Sequence, residues 1–167
     1  MNESLFGDEV KSDAYISADQ KYRYWLLRVW DSHLPIVANI GVNPSTAAHK
    51  TNDPTIRKDI GFTKRLGFGG LLKLNICAYR ATDPRELRKA VDPVGEENSV
   101  QHLLKYIAEF KATRVIAAWG KNGNYFVGRC EAVVREIPEL YCFGKNGDGT
   151  PCHTLMLPYS TRLERLN

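Results

Sequence analysis

Hydrophobic and polar positions follow two rhythms along this chain. Residues 21–30, "KYRYWLLRVW", alternate bulky with charged side chains in the two-residue period of a strand, and residues 31–35 turn the chain. "IVANIGV" at 36–42 predicts a second strand, so the two form a candidate antiparallel hairpin. Asp53-Pro54 is a helix start, an acid at the cap and a proline in the first turn, and Ile56, Ile60, Phe62 and Leu66 keep roughly helical spacing up to Gly67. "GGLLKLNICAY" predicts a buried strand interrupted by Asn75. Val100, Leu103, Leu104, Ile107 and Phe110 predict a helix over 96–111, followed by a strand at "RVIAAWG", a helix over 124–137 and a strand at "ELYCFG". "KNGDG" is a turn before "TLMLP". The first twenty residues are polar and aperiodic and predict an arm or lid, leaving residues 21–167 as one domain.

Strands and helices alternating from residue 36 onward predict an α/β fold: one three-layer domain with a mainly parallel central sheet, opened by the N-terminal hairpin. A length of 167 residues suits a single core, and 43% hydrophobic with 25% charged residues is ordinary globular composition. No run approaches the ~20 apolar residues of a membrane span, and the first residues lack the basic start and apolar stretch of a secretory signal. The expectation is therefore a cytoplasmic protein without a membrane partner. Cys77, Cys130, Cys142 and Cys152 form no CxxC pair and read as structural thiols, so neither a metal nor a cofactor is expected.

Charge adds a location. The net charge of +4 is modest, but residues 50–89 hold ten Lys or Arg against four acids. Such a cluster is either a solvated helix face or a phosphate-binding surface, and in the second case Arg57, Lys58 and Lys64 are the candidate contacts to a nucleic-acid backbone.

Three predicted strands end in a small or polar group, at Asn43, Asn75 and Gly120. Ligands of open parallel sheets bind beyond the carboxyl ends of the strands, so these three are expected to face one cleft. Gly41, Pro44 and Ser45 flank the first of them, and His153 joins from the turn-rich "GDGTPCHTLML". An asparagine carries both donor and acceptor and matches the amide-like edge of a nucleobase. Asn43 before Pro44 also suits a plain turn, and Trp119 suits core packing. Asn75 inside an apolar strand must find partners for a buried amide. Tyr79 and Arg80 follow that strand as a candidate stacking ring and cation.

The order "GVNPS", "GGLLKLN", "VIAAWG", "CHTLML" resembles the motif order of the uracil-DNA glycosylase superfamily. More closely, "NPSTA", "NDPTIR", "GFGGLLKLNICAYRATDP", "DPVGEEN" and "AAWG" resemble the family called domain of unknown function 1643, over roughly residues 20–160. The glycosylase resemblance implies a parallel-centred sandwich in which Asn43 positions water, Asn75 reads the base and His153 hydrogen-bonds the departing base. Asp53 is the nearest carboxylate in sequence that could serve as base. The chain departs from that pattern in having an amide at 43, Thr154 in place of a proline after the histidine, and no apolar wedge loop. The expected function is nucleobase recognition on DNA or a nucleotide, extending to hydrolysis of an N-glycosidic bond. A binding or sensing module without chemistry, and an enzyme of base modification or nucleotide metabolism, are the alternatives. Substrate base, partner proteins and oligomeric state are open.

Overall fold

The computed structural model describes residues 11–46 and 50–167. Its strands are β1 (Lys11–Ile16), β2 (Arg23–Val29), β3 (Ile36–Gly41), β4 (Gly70–Asn75), β5 (Ala112–Ala117), β6 (Leu140–Cys142) and β7 (Glu164–Arg165). They make one sheet in the order β1-β2-β4-β3-β5-β6-β7. The helices are α1 (Pro54–Arg65), α2 (Pro84–Lys89), α3 (Val100–Glu109) and α4 (Val127–Glu136), with a 3₁₀ turn at Lys121–Phe126.

The sheet is mixed rather than mainly parallel. Parallel pairing joins β4, β3, β5 and β6, while β1, β2 and β7 run antiparallel to their neighbours. Alternate side chains of the central strands sort onto the two faces. Ala38, Ile40, Leu72, Leu74, Val115 and Ala117 pack with Leu103, Tyr106 and Val133 of α3 and α4. On the other face Val37 and Ile116 meet Phe62 of α1 and Phe143, whose rings lie 4.3 Å apart between centroids. Each such side chain contributes about 1.5–3 kcal/mol by leaving water, so helices cover both faces.

The expected hairpin between residues 21–30 and 36–42 does not form, because β4 lies between β2 and β3. Every residue of β4 is buried, and a strand buried on both faces needs a partner along each edge. The link between β2 and β3 therefore bridges over the start of β4. The N–H groups of Trp30 and Asp31 both donate to Gly69 O, at 2.9 and 3.1 Å, and Gly69 N–H donates to Pro35 O. A β-carbon on Gly69 would sit 2.0 Å from Asp31 O, so the crossing requires glycine.

The antiparallel hairpin that does open the sheet is β1–β2. Residues 11–16, assigned by their polarity to an arm, are thus an edge strand. Its first half is exposed, which leaves no apolar alternation to see. Residues 1–10 lie outside the described residues. "TLMLP" forms turns, and β7 appears later in the chain.

One polar contact fixes α1 on its face. Asp59, buried on α1, accepts from Lys73 Nζ of β4 at 2.8 Å and from Thr154 Oγ1 at 2.6 Å, while Lys73 Nζ also donates to Asn39 Oδ1 of β3 at 2.6 Å. Removing one member of a buried pair leaves the other charge unpaired in a poor solvent, at a cost of about 3–5 kcal/mol. Asp59→Ala is therefore expected to lower unfolding free energy by about that amount. Glu109→Ala, which breaks the exposed Lys105–Glu109 pair, should cost under ~1 kcal/mol. Denaturant titration of both variants checks the contrast, and equal midpoints would remove Asp59 from this role.

Candidate functional site

The parallel register brings strand ends together. Gly41 of β3 pairs with Asn75 of β4, and Ile40 with Ala117 of β5, so the segments that follow leave the sheet along one edge. Beyond it opens a cleft of about 390 Å³. Gly41, Asn43, Pro44, Ser45, Asp53, Asn75 and His153 line it, as expected, together with Arg23, Lys73, Thr55, Thr82 and Asn122.

Asn75 is 1% exposed, and neither its Nδ2 nor its Oδ1 has a hydrogen-bond partner among the described residues. Its backbone is held from behind, since Asn98 Nδ2 donates to Asn75 O at 3.0 Å. In front lies Gly41, where an added β-carbon would come within 3.0 Å of both Asn75 Oδ1 and Lys73 Nζ. The glycine thus leaves room for an amide and an ammonium on the same part of the cleft floor. An ammonium has three donors, of which Asp59 and Asn39 take two.

Asn43 is differently placed. Its Nδ2 donates to Ala81 O at 2.8 Å and to Pro44 O at 3.0 Å, tying the loop after β3 to the segment after β4. Asp53 caps α1. Its Oδ1 accepts from Ile56 N–H at 2.8 Å and its Oδ2 from Ser45 Oγ at 2.7 Å. Burial by itself would raise the Asp53 pKa, but these two bonds, with the charges of Arg23 and Lys73, outweigh it and hold the carboxyl below its ordinary 3.8. Asp53 is a poor proton acceptor near neutrality.

His153 Nδ1 accepts from Leu155 N–H at 3.2 Å, so the neutral ring carries its proton on Nε2 and remains a donor there. Burial, and then the Lys73 charge, lower its pKa below the ordinary 6.5 against the opposing pull of Asp59 and Asp53. Gly120, expected at the same cleft, is not among its lining residues; it has a positive φ of 65° and packs against His153, where an added β-carbon would lie 3.0 Å from His153 Cβ.

The remaining candidates do not reach the cleft. Trp119 is buried in the core and borders a separate depression of about 520 Å³ beside α4. Tyr79 packs edge-on against Tyr22 at 5.8 Å, and Arg80 donates to Gln20 O and Thr46 O. Lys58 lies over the Tyr159 ring at 4.1 Å, Lys64 over Trp30 at 5.3 Å, and Arg57 donates to Asn52 O at 2.6 Å. The basic residues of α1 are scattered around the helix rather than gathered at the opening.

Burial pushes the Cys77 and Cys130 thiols up to about 12 and about 11, so both stay protonated near neutrality. All four cysteines are free, and among the described residues no group of three His, Cys, Asp or Glu is arranged to hold a metal ion. No helix among them is long and apolar enough to cross a membrane.

Arg23 and Lys73 escaped the sequence reading because a charged residue in an alternating strand looks solvent-facing. The signal that could have found Lys73 is its place inside "LLKLN", where a cation in a strand buried on both faces demands a carboxylate opposite.

The class of protein is thus an α/β domain with a polar cleft at the carboxyl edge of a mixed sheet. The chain belongs to the family described as "Protein of unknown function (DUF1643)", whose model matches residues 23–155. No curated protein matches the chain. A crystal structure of an alpha/beta hydrolase from Novosphingobium aromaticivorans DSM 12444 is similar at a TM-score of 0.36 and 18% identity. That match covers 81% of this chain and 45% of the hydrolase, too loose a likeness to bear on function. None of these matches is a uracil-DNA glycosylase, so the glycosylase resemblance of the four short motifs is not supported.

The histidine geometry sets a pH dependence. A folded pKa below 6.5 means that the unfolded chain binds the proton first, so His153 contributes stability that is fully present above pH 6.5 and is lost as pH falls from there toward its folded value. NMR titration should place the His153 midpoint below 6.5, and His153→Gln should flatten that part of the stability profile. A midpoint at or above 6.5 would show a ring not desolvated in the cleft.

Proposed function

We propose that the cleft recognises a small ligand bearing a nucleobase, and that it acts on a free nucleotide or nucleoside rather than on a nucleic-acid strand. The observation that carries this reading is the Asn75 amide, buried with both its donor and its acceptor unused. Buried polar groups are almost always satisfied, and each orphan costs about 1–3 kcal/mol. An amide held open in this way complements a ligand edge with an acceptor beside a donor, the pattern that pyrimidines and purines carry. His153 Nε2–H adds a donor, and a cleft of about 390 Å³ lies in the range of small-molecule sites. The scattering of Arg57, Lys58 and Lys64 around α1 favours a small molecule over a polymer.

Recognition has more support than glycosidic cleavage. The Nδ2 of Asn43 is committed to the loops it joins, and Asp53 is a capped carboxylate of low basicity. Hydrolysis of an N-glycosidic bond remains the second reading on one observation, the neutral His153 whose Nε2–H could stabilise negative charge on a departing base.

The test uses Asn75→Leu, which keeps the branching of the side chain and removes both orphan groups. Calorimetric titration with a panel of free bases and nucleosides is expected to find a ligand for the wild type and at least tenfold weaker binding in the variant. The same change is expected to raise unfolding free energy by about 1–3 kcal/mol, because it relieves an unsatisfied buried amide. Absence of binding to every base and nucleoside would refute the reading. A uracil-containing oligonucleotide with abasic-site cleavage as readout decides between recognition and excision.

A further inference from the structure

Arg23 opens β2 and is 3% exposed, yet its buried Nε has no hydrogen-bond partner, and its side chain makes no hydrogen bond or ion pair among the described residues. A guanidinium carries five donors and a charge it keeps at any physiological pH, so leaving it buried and unpartnered is costly. Its surroundings do not neutralise it. Asp53 is the carboxylate whose charge it feels, but both Asp53 oxygens are taken by Ile56 N–H and Ser45 Oγ. Arg80 and Arg28 lie close enough to oppose its charge. Of the charges that line the cleft, Lys73 is paired with Asp59, which leaves Arg23 with Asp53, whose two oxygens already accept hydrogen bonds.

The start of α1 forms part of the same wall through Pro54, Thr55 and Ile56. Pro54 has no N–H and Asp53 takes that of Ile56, which leaves Thr55 N–H as the first-turn donor at the cleft. The positive end of a twelve-residue helix adds positive potential to that wall. Strand pairing places Arg23 next to the end of β4: its N–H donates to Ala78 O at 2.9 Å, three residues beyond Asn75. An anion bound at Arg23 and a base edge read by Asn75 are therefore within one small ligand.

From this buried guanidinium, without a side-chain partner among the described residues and sharing a cleft with the start of α1, we infer that Arg23 anchors a phosphate, and that the ligand of this cleft is a nucleoside monophosphate. The inference rests on the base-reading role proposed for Asn75. Arg23 supplies the paired donors that a phosphate accepts, Thr55 N–H and the helix dipole reinforce it, and Asn75 sets which base accompanies it.

The experiment titrates wild type, Arg23→Gln and Arg23→Lys with matched pairs of nucleoside and nucleoside 5′-monophosphate, and separately with inorganic phosphate, at low and high salt. Wild type is expected to bind the monophosphate at least tenfold more tightly than its nucleoside, with a preference that shrinks in salt. Arg23→Gln is expected to erase the difference and Arg23→Lys to keep part of it. Since the Arg23 side chain makes no hydrogen bond or ion pair with the described residues, and its backbone bond to Ala78 O is kept in any substitution, both variants are expected to fold, and the wild-type comparison decides even if one does not. Equal affinity of wild type for nucleoside and monophosphate, a preference that survives Arg23→Gln, or tighter binding of an oligonucleotide lacking a terminal phosphate would each overturn the inference. Should no base-containing ligand bind, the reading of Asn75 falls by itself. Inorganic phosphate then decides for Arg23: a rise in wild-type melting temperature that is absent in Arg23→Gln upholds it, and no rise overturns it.

Discussion

A lysine ammonium enclosed between a sheet and a helix must be neutralised where it lies, and the arrangement of the cleft follows from how this chain does so. Lys73 projects from β4, the most enclosed strand, toward α1, and Asp59 meets it at 2.8 Å. The contact does more than balance a charge. Asn39 brings in β3 through the ammonium, and Thr154 brings in the C-terminal segment through the carboxylate. One carboxylate thereby fixes three parts of the fold relative to α1. Asp53 lies less than two turns before Asp59, so docking the helix also sets its N-terminus at the cleft, and Thr154 carries the adjacent His153 to the opposite wall. Breaking the pair would leave an uncompensated charge under the cleft floor, which is why its position cannot drift.

Much of the fold is legible in the sequence because burial has a period. The alternation in residues 21–30, the apolar run at 36–42 and the helical spacing at 100–110 each correspond to an element, and the Asp53-Pro54 cap begins α1 where expected. Pairing is less legible. Neighbours in sequence favour a hairpin locally, but β4 is buried on both faces and competes for the same edge of β3, and nothing local in residues 21–42 announces a competitor thirty residues on. Edge strand β1 is hidden for a related reason, since a strand with one solvated side needs little apolar patterning.

The site divides along the same line. Asn43, Asn75, Asp53 and His153 share a cleft because the parallel register aligns strand ends, a consequence of topology that sequence order anticipates. What each side chain does inside the cleft depends on partners distant in sequence. Asn43 spends its donor on Ala81, whereas Asn75, of identical chemistry, finds no partner. Tyr79 and Arg80 fasten residues 20–22 and Thr46 instead. Sequence identifies which groups are polar, and only the fold decides which of them remain unsatisfied.

That last distinction bears on how such a cleft would bind. The backbones of Asn75 and Arg23 are held, one by Asn98 behind its carbonyl and the other by its place in a paired strand, so little backbone entropy is left to lose when a ligand arrives. Their desolvation has already occurred during folding and is offset by the surrounding core. On the reading proposed, a ligand that satisfies both groups recovers interaction energy without first stripping water from them, and its affinity would exceed what its small contact area alone provides. The same ligand would stabilise the folded chain in proportion to its saturation, because the unfolded chain presents no such juxtaposition of an open amide and an open guanidinium.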